Sequence, residues 1–247
     1  MIEVRPLTEL PDLARAVELQ REIWGFADID LLPVRLFVVA TKIGGRILGA
    51  FDSGRMIGFC LAIPGLKPGG KFYLHSHMLG VLPEYQNAGI GRRLKLVQRD
   101  EALARGVPLI EWTFDPLELK NAFFNIERLG CVIRRYVHNQ YGITSSQFDQ
   151  GMPTDRCTAE WWLDHPRVHA FLAGAPPPRP PIEHTIEIPY AITELRKSDV
   201  RKAREIQARA GDQFERAFSQ GLAVVGFERT ESAGRYLIGR WSPEDAL

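Results

Sequence analysis

Cysteine is scarce in this chain of 247 residues, and Cys60, Cys131 and Cys157 never fall in a Cys-x-x-Cys spacing. Such an odd and scattered set argues against a disulfide framework and favours a reducing compartment. No run approaches the ~20 apolar residues that a membrane span needs. The start, MIEVRPLTEL, also lacks the apolar core of a signal peptide. These absences predict a cytoplasmic protein with no membrane partner.

The chain also lacks an excess of charge of either sign. Its Lys and Arg residues number 31 and its Asp and Glu residues 30, so the formal net charge is +1. A protein that binds nucleic acid through its surface usually shows a basic excess, so we expect no nucleic-acid partner. The length suits one large domain or two modest ones, and the apolar content of 45% is an ordinary globular value.

Hydrophobic periodicity predicts the order β-α-α-β-β, then β, a glycine turn, α, β, α and β, up to Val137. Residues 30–45 read as a helix with an early proline and two closing glycines, although the apolar run from Leu36 to Val39 also suits a strand. Residues 52–55 have the composition of a hairpin turn. Early hairpins and later crossovers predict an α/β (α+β) protein, with a mixed twisted sheet and helices on both faces.

Residues 173–181, AGAPPPRPP, divide the chain. This proline-rich stretch predicts an extended polyproline II spacer with no packed role of its own. A strand, a helix near residues 198–220 and a hairpin follow it. We therefore expect a main domain at 1–172 and a C-terminal strand-helix-hairpin extension at 182–247 that packs on it. The extension could wall an acceptor pocket or join two copies in a homodimer.

The glycine turn QNAGIG, residues 86–91, lies between a predicted strand and a predicted helix. Gly89 and Gly91 have no Cβ, so a ligand can approach their main chain closely. The first turn of a helix offers unpartnered N–H groups and a positive dipole end, which suit a phosphate. The Rossmann GxGxxG and the Gly-Lys-Ser/Thr ending of the nucleotide P-loop are both absent.

The stretch LGVLPEYQNAGIGRRL resembles motif A of the GNAT acyltransferases, whose loop amides hold the pyrophosphate of acetyl-CoA or another acyl-CoA. The later DPLELKNAFFNIERLG, followed by a strand, resembles a second motif of that family. The resemblance covers Ile2 to about Val137 and implies the GNAT fold, with an acyl-CoA as co-substrate. The segments DPL, NAFFN, NQYG, TDR and EWW resemble a long subgroup that includes amino-acid N-acyltransferases, among them succinyltransferases.

The resemblance implies which residues contact CoA. A distortion near Gly80 would turn backbone N–H groups toward the thioester. One of the two asparagines of the late helix could contact the amides of pantetheine, or both could be local caps or exposed to solvent. The basic residues Arg92, Lys95 and Arg99 could form a solvated face, or those near the turn could help hold the phosphates. The expected contacts are Leu79, Val81, Gln86, Asn87, Ala88, Gly89, Ile90, Gly91, Arg92, Asn121 and Asn125.

The catalytic groups are implied by position. His75 stands where many family members have a glutamate base, and a histidine pKa near 6.5 suits that role. His77 falls on the same strand face and could replace His75. Both could instead be wall residues, or could share a metal ion, but no third ligand is evident and we predict no metal. Ile126 stands where the family often has a tyrosine that protonates the thiolate, so either the thiolate leaves unassisted or another hydroxyl, such as that of Tyr136 or Tyr141, serves.

Asp155 and Arg156 could bind the ammonium and the carboxylate of an acceptor, or could form an ion pair within the protein. The sequence thus predicts an N-acyltransferase that moves an acetyl or succinyl group from CoA to a small-molecule amine, such as an amino acid. A non-catalytic acyl-CoA sensor is the alternative that the missing glutamate and tyrosine favour. A dinucleotide oxidoreductase is a third class, which would bind NAD.

Overall fold

The structure is a computed structural model that describes residues 2–244. The chain divides into two compact units. The first unit runs to Glu111 and includes Ser145–Phe148, and the second comprises Trp112–Thr144 and the chain from Asp149 onward. The boundaries expected at 172 and 181 stay a prediction.

The first unit carries three helices on a mixed sheet of strand order β1-β2-β3-β4-β5. Neighbouring strands are antiparallel, except for β4 and β5, which are parallel. Strand β5 begins in this unit and ends in the second. The elements are β1 (Ile2–Pro6), α1 (Leu10–Trp24), α2 (Val34–Lys42), β2 (Arg46–Asp52), β3 (Arg55–Lys67), β4 (Lys71–Val81), α3 (Ile90–Ala104) and β5 (Leu109–Phe114).

Local chemistry explains two of these elements. The turn between β2 and β3 places Ser53 at φ 47° and Gly54 at φ 85°, the positive pair of a two-residue hairpin turn. The predicted hairpin is therefore confirmed. Helix α2 buries Phe37 and leaves Val39 exposed. The alternative strand reading of this apolar run is wrong, since its buried residues follow a helical period.

The sheet of the first unit is covered on both faces. Successive residues of a strand point to opposite faces, and the neighbours Ile47 and Leu48 of β2 are both fully buried. The same holds for Phe59 and Cys60 of β3. Burial of consecutive strand residues requires packing above and below the sheet, which agrees with the predicted fold class.

The second unit continues from β5 in the strand order β5-β7-β6-β9-β10-β8. Strands β7 and β9 flank β6, and β8, β9 and β10 pair antiparallel. A π-helical turn (Phe124–Arg128) follows α4. The elements are α4 (Leu119–Phe123), β6 (Val132–Val137), β7 (Arg156–Trp162), α5 (Pro166–Leu172), β8 (Ile182–Pro189), α6 (Ile192–Ser198), α7 (Val200–Ser219), β9 (Ala223–Arg229) and β10 (Ala233–Gly239).

The sequence patterns missed part of this unit. Strand β7 and helices α5 and α6 were not predicted, and the late helix begins at Leu119 rather than at Asp115. Asp115 does cap a turn, because its carboxylate accepts the N–H of Leu117 at 2.8 Å. That turn precedes the helix, which begins at Leu119.

The proline-rich spacer is irregular, as expected, but it has contacts. Arg179 forms ion pairs with Glu228 of β9 and Glu127 of the π-helical turn, at 2.6 Å and 3.4 Å. The prediction that the spacer has no packed role is therefore wrong at this residue. The extension itself joins the second unit's sheet through the pair Ile133–Val224. Over residues 2–244, no helix has both the length and the apolar character for crossing a bilayer.

Candidate functional site

The glycine turn connects β4 to α3 in the first unit. A single helical turn (Pro83–Tyr85) precedes it, and α3 begins at Ile90. Asn87 has φ 63° and Gly89 has φ 78°, both in the left-handed region. Glycine and asparagine adopt this region at the lowest cost, so the sequence suits the backbone path that the turn takes.

The main-chain donors of this turn divide into two groups. The N–H of Gln86 donates to Pro83 O at 3.2 Å, and the Gln86 side chain donates to Val81 O at 3.2 Å, so Gln86 braces the turn. The first internal bond of α3 runs from Arg93 N to Gly89 O at 3.0 Å. Within residues 2–244, no protein group accepts a hydrogen bond from any of five consecutive main-chain N–H groups, those of Asn87, Ala88, Gly89, Ile90 and Gly91.

Space is open above these donors. A Cβ built on Gly89 would have no atom within 4 Å, and one on Gly91 would meet only Leu79 Cδ2 at 3.7 Å. The φ of Gly91 is not in the left-handed region. Neither crowding nor backbone strain within the protein therefore calls for glycine at 91. Its missing side chain matters for a molecule that approaches the start of α3, where the helix dipole favours an anion.

The basic residues of α3 do not form one solvated stripe. Arg92 is half-buried, while the guanidinium of Arg93 donates to Ile2 O at 2.6 Å and so contacts β1. Lys95 is only 1% exposed. The prediction of a solvated basic face is wrong at Lys95, because this residue borders the buried stripe of α3 that includes Gln98.

The two histidines share one face of β4, as predicted. Their ring centroids lie 5.9 Å apart with an interplanar angle of 40°. Leu74, Ser76 and Met78, between and beside them, are buried on the opposite face. His75 is half-buried and His77 is exposed.

A β-bulge lies at His77. Leu61 of β3 pairs with Met78, whereas the next β3 residue, Ala62, pairs with Ser76. His77 is therefore an extra residue without a partner in the β3 register. Such a bulge bends the strand locally and redirects a side chain.

The distortion expected at residues 79–81 is wrong in position, since these residues keep a regular register with β3. Gly80 has a different role. A Cβ there would meet Trp24 at 2.5 Å and Ile23 at 2.8 Å, so the glycine allows α1 to approach the strand.

The N–H groups of Leu79 and Val81 nevertheless point away from β3. Leu82 N donates to Ile57 O at 2.9 Å, so Leu82 and Ile57 are a hydrogen-bonded pair of the ladder. Hydrogen-bonded and non-hydrogen-bonded pairs alternate in an antiparallel ladder. Leu79 and Val81 take the non-hydrogen-bonded positions in the register, so both direct their main-chain groups to the other edge of β4. Donation from Val81 or Leu79 to a ligand stays a prediction.

Protein surroundings keep the His77 imidazole neutral. Burial lowers the pKa of His77 from its ordinary value, although part of the ring is open to solvent. Water reaches the His77 ring, but protein surrounds it on several sides. This partial desolvation disfavours the charged form, so the lowered pKa is compatible with the exposure of the residue. A neutral imidazole can accept a proton.

An unforeseen carboxylate lies beside His75. Glu111 of β5 is the register partner of His75 in the parallel pair and is 2% exposed. The Lys67 ammonium forms an ion pair with Glu111 and lies 5.4 Å from the centroid of the Tyr73 ring. Glu111 has one sequence signal, since it is the only charged residue in the strand pattern PLIEWTF.

The second unit holds the predicted amide side chains. Asn125 is buried, and its Oδ1 accepts the indole N–H of Trp112 at 3.3 Å. Its Nδ2 is buried without a hydrogen-bond partner. Asn121 is exposed, and Ile126 is fully buried. Asn125 therefore has an unused donor, while Ile126 has no proton to donate.

The two candidate tyrosines have different surroundings. Burial and a hydrogen bond to Asp155, at 2.6 Å, raise the pKa of Tyr136. The Tyr141 ring is 42% exposed, and its hydroxyl shares a hydrogen bond with Thr113 Oγ1 at 2.8 Å. Tyr136 therefore holds its proton, and Tyr141 is the more accessible of the two hydroxyls.

Asp155 and Arg156 each have partners within the second unit. The Asp155 carboxylate also accepts the N–H of Asn139 at 2.9 Å. The Arg156 guanidinium forms an ion pair with Asp149 at 3.0 Å and lies 5.6 Å from the Tyr141 ring centroid. The two residues do not form a side-chain ion pair with each other, and their binding of an acceptor stays a prediction.

Comparison with known proteins places this arrangement in a family. The sequence model of the acetyltransferase (GNAT) family matches residues 13–130. Residues 13–130 are a domain of the GNAT superfamily. No curated protein matches its sequence.

Solved structures show the GNAT fold at low sequence identity. A protein from Acinetobacter baylyi classed as an acetyltransferase is 16% identical, with TM-score 0.55 over 68% of this chain and 98% of that chain. A Salmonella typhimurium protein of the same class, solved with its cofactor acetyl-CoA, is 16% identical, with TM-score 0.53 over 66% and 95%. A ribosomal-protein alanine N-acetyltransferase from Escherichia coli is 20% identical, with TM-score 0.50 over 65% and 92%.

The start of α3 in the first unit offers the donors that the diphosphate of an acyl-CoA requires. In the first unit, a diphosphate would find five unpartnered N–H groups at the start of α3 and no side chain at Gly91. In the second unit, Asn125 Nδ2 is a buried donor without a partner among the described residues 2–244.

Proposed function

We propose that this GNAT protein is an acyl-CoA-dependent N-acyltransferase that moves an acetyl or succinyl group to the amine of a small molecule. The observation that carries the proposal is the run of unpartnered N–H groups from Asn87 to Gly91 at the start of α3. Each such donor contributes about 0.3–1 kcal/mol to anion binding when exposed and up to ~2 kcal/mol when partly buried. Together they suit the diphosphate of CoA.

The reaction joins the amine nitrogen to the thioester carbon and breaks the C–S bond. The amine must lose a proton, and free amines are mostly protonated at neutral pH, so a base is required. We assign that role to His75, directly or through water, with His77 as the group that could replace it. The lowered pKa of His77 and the shared strand face support a proton-accepting pair.

The departing thiolate needs a proton or must leave without one. Ile126 offers none, and the hydroxyl of Tyr136 donates to the buried carboxylate of Asp155 and so retains its own proton. The accessible hydroxyl of Tyr141 is therefore our candidate donor. Backbone N–H groups of Leu79 and Val81, directed away from β3, are the candidate donors to the thioester oxygen and the pantetheine chain.

An amino acid is the acceptor that the second unit supports best. Arg156 holds a carboxylate, that of Asp149, at 3.0 Å and lies next to the Tyr141 ring. The carboxylate of an acceptor could replace Asp149, which uses one oxygen on one Arg156 nitrogen, and could bind the guanidinium through two hydrogen bonds. Asp155 is the weaker candidate, because Tyr136 and Asn139 already use its oxygens.

Thiol release tests the proposal. Acetyl-CoA and succinyl-CoA would each be incubated with amines and with amino acids of both hands, and amide products would be identified by mass spectrometry. Thiol release that requires an acceptor supports the proposal. CoA binding without turnover on any acceptor would favour the sensor, and thermal stabilisation by NAD rather than CoA would favour the oxidoreductase.

A further inference from the structure

The amino group of Lys95 lies inside the first unit, within a chain of polar side chains. It donates to Ser76 Oγ at 2.8 Å and to Gln98 Oε1 at 3.3 Å. Gln98 Nε2 in turn donates to Cys60 Sγ at 3.5 Å. Lys95, Gln98 and Cys60 are at most 1% exposed and Ser76 is 4% exposed. The chain thus links α3, β4 and β3 in a region that water does not reach.

A lysine is a costly residue for such a place. Burying its amino group removes strong hydration, and the hydrogen bonds that replace water seldom do more than offset that loss. An apolar residue of similar length would pack between the helix and the sheet at lower cost. The thiol of Cys60 provides no compensating charge, because burial raises its pKa to about 12. The hydrogen bonds to Ser76 and Gln98 therefore give the buried amino group a structural role at this position.

The residue that Lys95 contacts defines that role. Ser76 lies between His75 and His77 in β4, on the opposite face of the strand. It is also the last residue to pair with β3 before the bulge at His77. A bulge interrupts the ladder of hydrogen bonds, so the strand is least constrained by β3 at the point where Lys95 holds it.

We propose that Lys95 is a positioning residue that holds the β4 bulge through Ser76 and so orients the imidazoles of His75 and His77. Because Lys95 belongs to α3, the same contact ties the histidines to the helix whose first turn carries the phosphate-binding N–H groups. The contact between α3 and β4 then fixes the distance between a bound diphosphate and the base. The expected effect on catalysis rests on the proposed acyl transfer, whereas the orientation of the two imidazoles by Lys95 does not.

Two variants test the contact from its two ends. Lys95→Met removes the amino group and keeps the length of the side chain, and Ser76→Ala removes the hydroxyl and is the milder change. Each should lower kcat by about 10- to 100-fold, the scale for misplaced catalytic groups, with the KM for acyl-CoA nearly unchanged. The double variant should lose little more than either single one, because both remove the same interaction. Independent losses that multiply would contradict the proposal.

A second readout does not depend on turnover. The chain has six histidines, and imidazole signals by NMR should shift at His75 and His77 in both variants, while the other four, His138, His165, His169 and His184, serve as internal references. Leu13→Ala is the matched control, since it opens a cavity at a fully buried residue of α1 that takes no part in the hydrogen-bonded chain of Lys95. It should lower the melting temperature while kcat and the imidazole signals stay as they are.

The outcomes separate this inference from the proposed function. If the His75 and His77 signals are the same in both variants as in the unmodified protein, the positioning role is refuted, whatever the turnover. If those signals move while the unmodified protein acylates no acceptor, the contact is real and the proposed acyl transfer is wrong. A fall in kcat in the Leu13→Ala control equal to that of Lys95→Met would also refute a specific role for Lys95.

Discussion

Replacing Gly91 with alanine adds one methyl group at the second residue of α3. In the free protein the new Cβ would meet nothing closer than Leu79 Cδ2 at 3.7 Å, and the φ at this position suits an L residue. Alanine is preferred over glycine in a helix by up to about 1 kcal/mol. For a chain of this length we therefore expect the melting temperature to rise by about 1–4 °C.

The same methyl group should weaken binding of CoA. It would stand in the open space through which a diphosphate reaches the N–H groups at the start of α3. Losing one or two of these contacts removes about 1.4–3 kcal/mol, which is a 10- to 100-fold increase in Kd. Titration calorimetry with CoA measures this change, and thermal denaturation without ligand measures the gain in stability.

Gly89→Ala is the matched control. A Cβ there would also have open space, but Gly89 has φ 78°, and a left-handed conformation costs an L residue about 1–2 kcal/mol. This variant should lower the melting temperature, in contrast to Gly91→Ala. Unchanged CoA affinity in Gly91→Ala would refute the assignment of this turn as the phosphate site.

Three further predictions concern the general base, the pH dependence of stability and the buried carboxylate Glu111. His75→Ala should lower kcat by about 10²–10⁴-fold, as for a lost general base, with CoA affinity by calorimetry close to that of the unmodified protein; an unchanged rate would place the base elsewhere. Burial lowers the pKa of His77, so the unfolded chain binds more protons as the pH falls below ~6.5 and the free energy of unfolding decreases. In urea denaturation, His77→Gln should lessen that decrease. At His138 burial opposes the charge, but hydrogen bonds to neighbouring carboxylates prevail and raise the pKa. The stabilisation from His138 is complete below ~pH 6.5 and is lost as the pH rises through the folded pKa, so His138→Gln should change the pH dependence of the free energy of unfolding in the opposite direction to His77→Gln. The same pH dependence in both variants would contradict both assignments. Glu111→Gln should lower the free energy of unfolding by about 1.5–3 kcal/mol, because it removes a charged hydrogen bond between the buried Glu111 and Lys67, whose side chain is 27% exposed. A loss below about 1 kcal/mol, the scale of exposed pairs, would show that the pair is solvated.

Much of the first unit was predictable because its signals are local. The turn at Ser53–Gly54, the helix Val34–Lys42 and the glycine turn before α3 each follow from a few adjacent residues. The alternation that places His75 and His77 on one face of β4 is equally local. The second unit was less predictable, since β7 and α5 lie in polar and aromatic sequence whose periodicity is weak.

The position of the β4 bulge could not be read from the sequence. Gly80 looked like the distorted residue, but it serves the approach of α1, and the extra residue is His77. A bulge depends on the register between two strands, and that register is set by every pair along the hairpin. A glycine within a strand is compatible with either role.

The sequence by itself determined the order of the elements up to Val137 and the glycine turn before α3, because periodicity, turn composition and missing side chains act between near neighbours along the chain. Only the tertiary structure decided that Lys95 faces inward onto Ser76, that Glu111 lies beside His75 and that Asn125 keeps an unused donor. These contacts join residues that are distant in sequence, and their burial depends on how helices and strands pack, which no local pattern records.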